Sequence, residues 1–196
     1  MTGISRAHAG RASWIVFAAL ACGGRAPNPD KPGVGPNAVR IIPSARAIVL
    51  ETAGPPIVDT SVTFTTGEPR TIVLRHGPPE NIVFAQIDFP PTTFGDSGRQ
   101  VKVDVAPRPG IYGLDIRISL PLTGPASLTF KYGRYFLAPA RARTVYGNDV
   151  QFERMLAIGQ ILPDSQFALL PSTRPASDNL RASITAGGTY LAAAAQ

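Results

Sequence analysis

Apolar and polar residues alternate strictly in three short segments, at 101–105, 114–120 and 128–132. Turns rich in glycine and proline separate them. A two-residue period of this kind is typical of antiparallel strands that bury one face and expose the other to water. These segments therefore predict antiparallel β-sheet structure. Their polar positions, such as Asp104 and Asp115, are the charges expected on a solvated face.

Further apolar runs continue this rhythm on both sides, and breaks such as Gly54-Pro55-Pro56 bound them. The additional predicted strands are 45–50, 57–65, 70–75, 82–89, 152–161, 166–170, 180–185 and 189–194. Many short strands at regular spacing indicate a sandwich. We predict an all-β fold, an antiparallel, immunoglobulin-like β-sandwich of roughly 8–10 short strands, over residues 45–196.

One of these segments has a competing interpretation. Phe152, Met155 and Leu156 also fit one face of a helix over 150–158. Gly159 and the strand-rich surroundings favour the strand. The 20 prolines and 19 glycines also argue against a helical fold, because both residue types interrupt helices.

The first 22 residues have the three parts of a secretory signal. Arg6 and Arg11 precede an apolar run over 14–20, and small residues follow it. The run is too short to span a bilayer of about 30 Å as a helix. We therefore predict a signal peptide over 1–22 and export of the protein.

The apolar run ends in Ala19-Leu20-Ala21-Cys22, which resembles the bacterial lipobox. The resemblance implies that Cys22 is acylated and becomes the mature N-terminus, which would anchor the protein to a membrane of the cell envelope. Cys22 is the only cysteine of the chain. The alternative is an ordinary secretory signal that is cleaved near Ala21, which would make the protein periplasmic or secreted.

Residues 23–37 read GGRAPNPDKPGVGPN and show no apolar period. Segments rich in proline and glycine are spacers between folded parts. We predict a disordered, flexible linker over 23–44 that separates the domain from its anchor. No cofactor is predicted.

The formal charge of +6 by itself excludes few classes of binding partner. Without Arg6 and Arg11, two of the 19 basic residues, the remaining 17 exceed the 13 acidic residues by four. The basic residues do not gather in one predicted strand or helix, whereas nucleic-acid binding requires a clustered basic surface. We therefore expect no nucleic-acid partner.

The segment 133–149 interrupts the strand pattern, and we predict a long connection with at most a short strand or helical turn. Long loops inside compact domains are often functional. Tyrosine and arginine are frequent at interfaces, so the candidate binding residues lie here. They are Arg134, Tyr135, Arg141, Arg143 and Tyr146. The alternative is a loop that packs on its own tyrosines.

Little in the sequence indicates catalysis or a metal site, so we predict no catalytic residue, no metal ligand and no enzyme. Histidine is the usual general base, and only His8 and His76 are present. We expect His76 to be a solvated turn residue. Zinc sites need clusters of histidine or cysteine. Carboxylate pairs such as Asp88 with Asp104 remain arithmetically possible.

From about residue 82 to residue 195, the order of motifs resembles the ZU5-like β-sandwich modules of bacterial surface lipoproteins. The resemblance is carried by FPPTTF before VKVDVAP, by YGLDIRISLPLTGPASLTFKY, and by the tail FALLPSTRPASDNLRASITAGGTYLAAA. Some modules of this family cleave themselves at His-Phe-Ser, but Gly187-Gly188-Thr189-Tyr190 offers no such triplet. The resemblance implies a non-enzymatic module that contacts other macromolecules.

Three functions follow as expectations. The first is a membrane-anchored, exported structural or protein-interaction module of the cell envelope. The second is a module that binds a glycan or an anionic polymer through residues 133–149. The third, well behind, is a hydrolase built on two carboxylates.

Overall fold

The computed structural model describes residues 38–196, about half of which lie in antiparallel strands. In chain order the strands are β1 (Arg40–Pro43), β2 (Ala47–Val49), β3 (Glu51–Thr52), β4 (Thr60–Thr65), β5 (Arg70–Arg75), β6 (Val83–Phe89), β7 (Gln100–Pro107), β8 (Gly113–Ile118), β9 (Ala126–Lys131), β10 (Phe136–Leu137), β11 (Ala157–Leu162), β12 (Gln166–Leu169), β13 (Ser172–Thr173), β14 (Asn179–Ile184) and β15 (Gly188–Ala195). The helices are α1 (Ala140–Tyr146), α2 (Asp149–Met155) and three 3₁₀ helices at Ser44–Arg46, Pro91–Phe94 and Gly133–Tyr135.

Two large antiparallel sheets form the fold. The first has eight strands. Seven follow the order β1-β12-β11-β15-β8-β7-β4, and the eighth, β2, pairs with the C-terminal end of β15. The second has five strands in the order β13-β14-β9-β6-β5, and β3 and β10 form a separate pair. The main core takes buried side chains from both large sheets. The predicted all-β, antiparallel sandwich is therefore confirmed.

The three alternating segments of the sequence form β7, β8 and β9. Val101, Val103 and Val105 are buried along β7, as the two-residue period predicts. β7 pairs with β8 in the eight-stranded sheet, whereas β9 pairs with β6 and β14 in the five-stranded sheet. The chain thus crosses from one layer to the other between β8 and β9.

Aromatic side chains fill the centre of the main core. Phe84 stacks on Tyr112 with ring centroids 5.0 Å apart, and its edge contacts the ring of Phe130 at 5.7 Å. Tyr132 and Tyr190, which continue inward patterns in the sequence, are both 1% exposed. Burial raises the pKa of Tyr190 to about 12.

A second, smaller core lies on the opposite face of β15. Tyr190, Ala192 and Ala194 belong to the main core, whereas Leu191 and Ala193 belong to the second one. Both faces of this strand are therefore buried. Its run of alanines accommodates close packing from both sides, because a strand alternates its side chains between the two faces.

The second core accounts for the ordered strand β1, which lies inside the predicted linker of 23–44. β1 pairs with β12, and Ile42 packs against the second core. The prediction that the domain begins at residue 45 is therefore wrong. RIIP, with two apolar residues between an arginine and a proline, is too short to show a period, and only its partner strand makes it regular.

The predicted strand over 152–161 is wrong in its first half, where α2 forms instead. Asn148 caps this helix, since its side chain accepts a hydrogen bond of 2.9 Å from the amide of Gln151. Phe152 is its buried residue. The helix ends at Met155 because the following residues pair with both β12 and β15. The segment 133–149 also contains more regular structure than predicted, namely a 3₁₀ helix, β10 and α1.

Candidate functional site

The structure divides the five predicted binding residues into two groups. Arg134 and Tyr135 lie in the 3₁₀ helix that follows β9, and both contact Glu80. Arg141, Arg143 and Tyr146 lie on α1 and contact other partners. The predicted loop therefore does not form one continuous Tyr/Arg surface.

Glu80 is the centre of the first group. The Arg134 guanidinium donates two hydrogen bonds to its carboxylate, at 2.8 and 3.1 Å, and the Tyr135 hydroxyl donates a third at 2.6 Å. Hydrogen bonding from Arg134 and then from Tyr135 lowers the pKa of Glu80 to about 2. The same contacts raise the pKa values of Arg134 and Tyr135. The group thus ties the 133–135 turn to the β5–β6 connection.

This arrangement predicts a pH dependence. The folded-state pKa of Glu80, about 2, lies below its ordinary value of 4.5. The ionised carboxylate therefore stabilises the fold above that ordinary value, and the contribution is lost as the pH falls through about 2. We expect the free energy of unfolding of Glu80→Gln to lie below that of the wild type at pH 7, and the two to converge in acid, as measured by urea denaturation.

Arg134→Gln supplies the control for that measurement. This substitution removes the largest cause of the lowered pKa of Glu80. We therefore compare Arg134→Gln with the double variant Arg134→Gln/Glu80→Gln. Their stabilities should converge at a higher pH than those of the wild type and Glu80→Gln. Parallel curves of wild type and Glu80→Gln down to pH 2 would show that the ion pair does not form.

His76 lies behind Tyr135, with ring centroids 4.6 Å apart. It is 1% exposed, so the predicted solvated turn residue is instead a core residue. Its Nδ1 lies 2.8 Å from the carbonyl oxygen of Pro55. Because a carbonyl only accepts, Nδ1 carries the proton. The ring also packs against Gly54, where a Cβ would lie 2.5 Å from its Cε1. The absence of a side chain at Gly54 therefore makes room for the imidazole.

The second group holds the helices against the end of β15. Arg143 pairs with Asp149 at 2.8 and 3.1 Å, and Arg141 donates to the carbonyl oxygen of Ala45 at 2.9 Å. The Tyr146 hydroxyl donates to the carbonyl oxygen of Ala195, and burial raises the pKa of this tyrosine. These side chains are engaged in contacts within the domain. Hydrogen bonding from Arg143 lowers the pKa of Asp149.

A groove of about 450 Å³ beside α2 brings together three arginines that the sequence analysis did not single out: Arg40, Arg154 and Arg174. Its apolar lining includes Met155, Leu156, Leu169, Leu170 and Pro171. Arg174 donates to the carbonyl oxygens of Glu153 and Leu156, at 2.6 and 3.1 Å, and so satisfies the end of α2.

No sequence signal points to this groove. Arg40 lies in a predicted linker and Arg154 in a predicted strand, more than a hundred residues apart. The pairing of β1 with β12 brings the two segments together. A signal based on clustering along the chain cannot detect such a surface.

The outer face of the eight-stranded sheet carries a smaller cavity of about 190 Å³ that Asp104 and Asp115 line. Lys102 Nζ lies 3.0 Å from Asp104, and Arg108 Nε lies 3.2 Å from Asp115. Hydrogen bonding from Ser61 lowers the pKa of Asp104. Both carboxylates therefore have partners, as the solvated-face interpretation expects.

The carboxylate pair named for hydrolysis, Asp88 with Asp104, is divided between the two sheets. Asp88 lies on β6 of the five-stranded sheet and accepts from Thr71 at 2.8 Å, whereas Asp104 lies on β7 of the other sheet. Within residues 38–196, no three histidine, cysteine or acidic side chains lie close enough together to hold a metal ion. The predicted lipidation site, Cys22, lies outside the described residues.

No family model, no curated protein and no solved structure matches this chain. In the part of the chain that the structure describes, no helix has the length and apolar character needed to cross a membrane.

Proposed function

We propose that this chain is an exported, lipid-anchored protein of the bacterial cell envelope, whose β-sandwich is a non-enzymatic structural or protein-interaction module. Three features support the anchor: the charged start and apolar run of residues 1–22, Cys22 at the end of that run, and the Pro/Gly spacer that follows. Two or three acyl chains on one cysteine hold a protein stably at a membrane, whereas one chain binds only marginally.

The main support for a non-enzymatic module is that the candidate polar side chains bind one another within the domain. The carboxylate of Glu80 accepts hydrogen bonds from Arg134 and Tyr135, and His76 is buried behind these side chains. These groups stabilise the turns between strands. The resemblance to ZU5-like modules supports the same proposal, since it implies contact with other macromolecules through displayed surfaces.

The structure of segment 133–149 weighs against the second candidate function, binding of a glycan or anionic polymer there. Arg134 and Arg143 each form a two-contact ion pair with a carboxylate. An anionic polymer would have to compete with these carboxylates for the same guanidinium groups.

Mass spectrometry of the mature protein, isolated from bacterial membranes, tests the anchor. We expect the N-terminal residue to be Cys22 with acyl chains attached, and the protein to fractionate with membranes. The variant Cys22→Ser should carry no acyl chains at this position. A start at another residue, or an unmodified Cys22, would refute the lipid anchor.

A further inference from the structure

The groove with Arg40, Arg154 and Arg174 lies where the N-terminal segment joins the domain. Ala38, the first described residue, itself lines the groove, and β1 starts two residues later. The N-terminal segment therefore enters the domain at this groove. The groove is also the site where the chain leaves towards Cys22.

Two of the three arginines of the groove have no carboxylate partner among residues 38–196. Arg40 and Arg154 are exposed, and neither forms an ion pair with another residue of the described part. The groove has no carboxylate among its lining residues. Arg134 and Arg143, in contrast, are paired with Glu80 and Asp149.

Large apolar side chains accompany these arginines. Met155 lines the groove and is 52% exposed, and Leu170, which also lines it, is half-buried. Arginine beside exposed apolar side chains suits a lipid–water interface. Guanidinium groups bind phosphates in a bidentate manner, and apolar side chains enter the acyl boundary.

We propose that this groove docks on the anionic phospholipid surface of the membrane that anchors Cys22, with Arg40 and Arg154 on lipid phosphates and with Met155 in the interface. This inference rests on the proposed function for the anchor. For a flexible linker of 15 residues, the length of the Pro/Gly-rich segment 23–37, the mean end-to-end distance is about 20 Å. The tether would therefore keep the groove close to the bilayer and raise its effective concentration there.

Vesicle cosedimentation of the full chain tests the proposal, with Cys22→Ser in every protein so that acylation plays no part. The groove variant is Arg40→Gln with Arg154→Gln, and Arg174 is retained because it caps α2. The matched control, Arg99→Gln with Arg117→Gln, removes the same charge from exposed positions at β7 and β8, away from the β1–β12 end of the sheet.

One vesicle preparation contains phosphatidylcholine alone, and the other contains one third phosphatidylglycerol. Each basic residue near an anionic surface contributes about 1 kcal/mol, so two arginines correspond to roughly a 30-fold change in the partition coefficient. We expect a loss of this order for the groove variant on anionic vesicles, and little change on neutral ones. The apolar segment 14–20 contributes equally to all variants.

Two outcomes would overturn the proposal. Equal losses in the groove variant and the control would show that net charge alone attracts the chain. Unchanged binding in the groove variant would show that the groove does not meet lipid. Neither outcome affects the anchor, because the mass of the mature N-terminus tests acylation of Cys22 independently.

Discussion

Phe84→Ala is expected to lower the free energy of unfolding by about 3–5 kcal/mol. Phe84 is fully buried and contacts three rings: it stacks on Tyr112, and it meets Phe130 and His76 edge-on. Removal of its ring takes apolar surface out of the core and leaves a cavity between the two sheets.

Equilibrium unfolding in urea, followed by far-ultraviolet circular dichroism, measures this loss. The midpoint should fall without a change in the slope, since a lower midpoint at constant slope reports stability alone. Phe84→Leu should lose less, because it keeps part of the volume. Val58→Ala, at a position that is 76% exposed, should change stability by at most about 0.5 kcal/mol. A loss below about 1 kcal/mol for Phe84→Ala would contradict the packing described for the core.

Gly159→Ala is expected to destabilise the protein by about 1–3 kcal/mol, although alanine normally suits a strand better than glycine. A Cβ at Gly159 would lie 2.3 Å from two ring carbons of Phe167. That ring is 1% exposed within the second core, so it has little room to move. The aromatic ring covers the glycine across the β11–β12 pair, which removes the space that a methyl group needs.

A double-mutant cycle with Phe167→Leu identifies the cause. The smaller leucine removes the ring atoms, so Gly159→Ala should cost little or stabilise in that background, and the two substitutions should be strongly non-additive. Four proteins and their urea midpoints suffice. Additive costs would mean that the ring does not press on this glycine.

The sheet strands could be predicted because their signal is local. In β7, burial alternates residue by residue, so Val101, Val103 and Val105 identify the core face before any partner strand is known. The same reasoning correctly places Tyr132 and Tyr190 in the core. The turns are equally local, since glycine and proline act through their own backbone angles.

The predictions failed where the neighbours decide the structure. His76 stands beside a Gly–Pro–Pro turn, which suggests exposure, but Tyr135 and Phe84 cover its ring. The segment around Phe152 fits both a strand and a helix, and the Asn148 cap with the pairing of β11 selects the helix up to Met155. The contact of His76 with Tyr135 and the pairing of β11 with β15 join segments that are distant in the chain.

The sequence by itself determined an all-β chain with a two-residue period, the position of its turns, and the pattern at residues 1–22 on which the proposed anchor depends. Only the tertiary structure decided that β9 lies in the other sheet, that β1 belongs to the domain, and that Arg40 meets Arg154 in one groove. The physical reason is the distance along the chain over which each interaction acts. Side-chain alternation and turn preferences act over a few residues, whereas strand order and surface charge depend on pairings between segments a hundred residues apart.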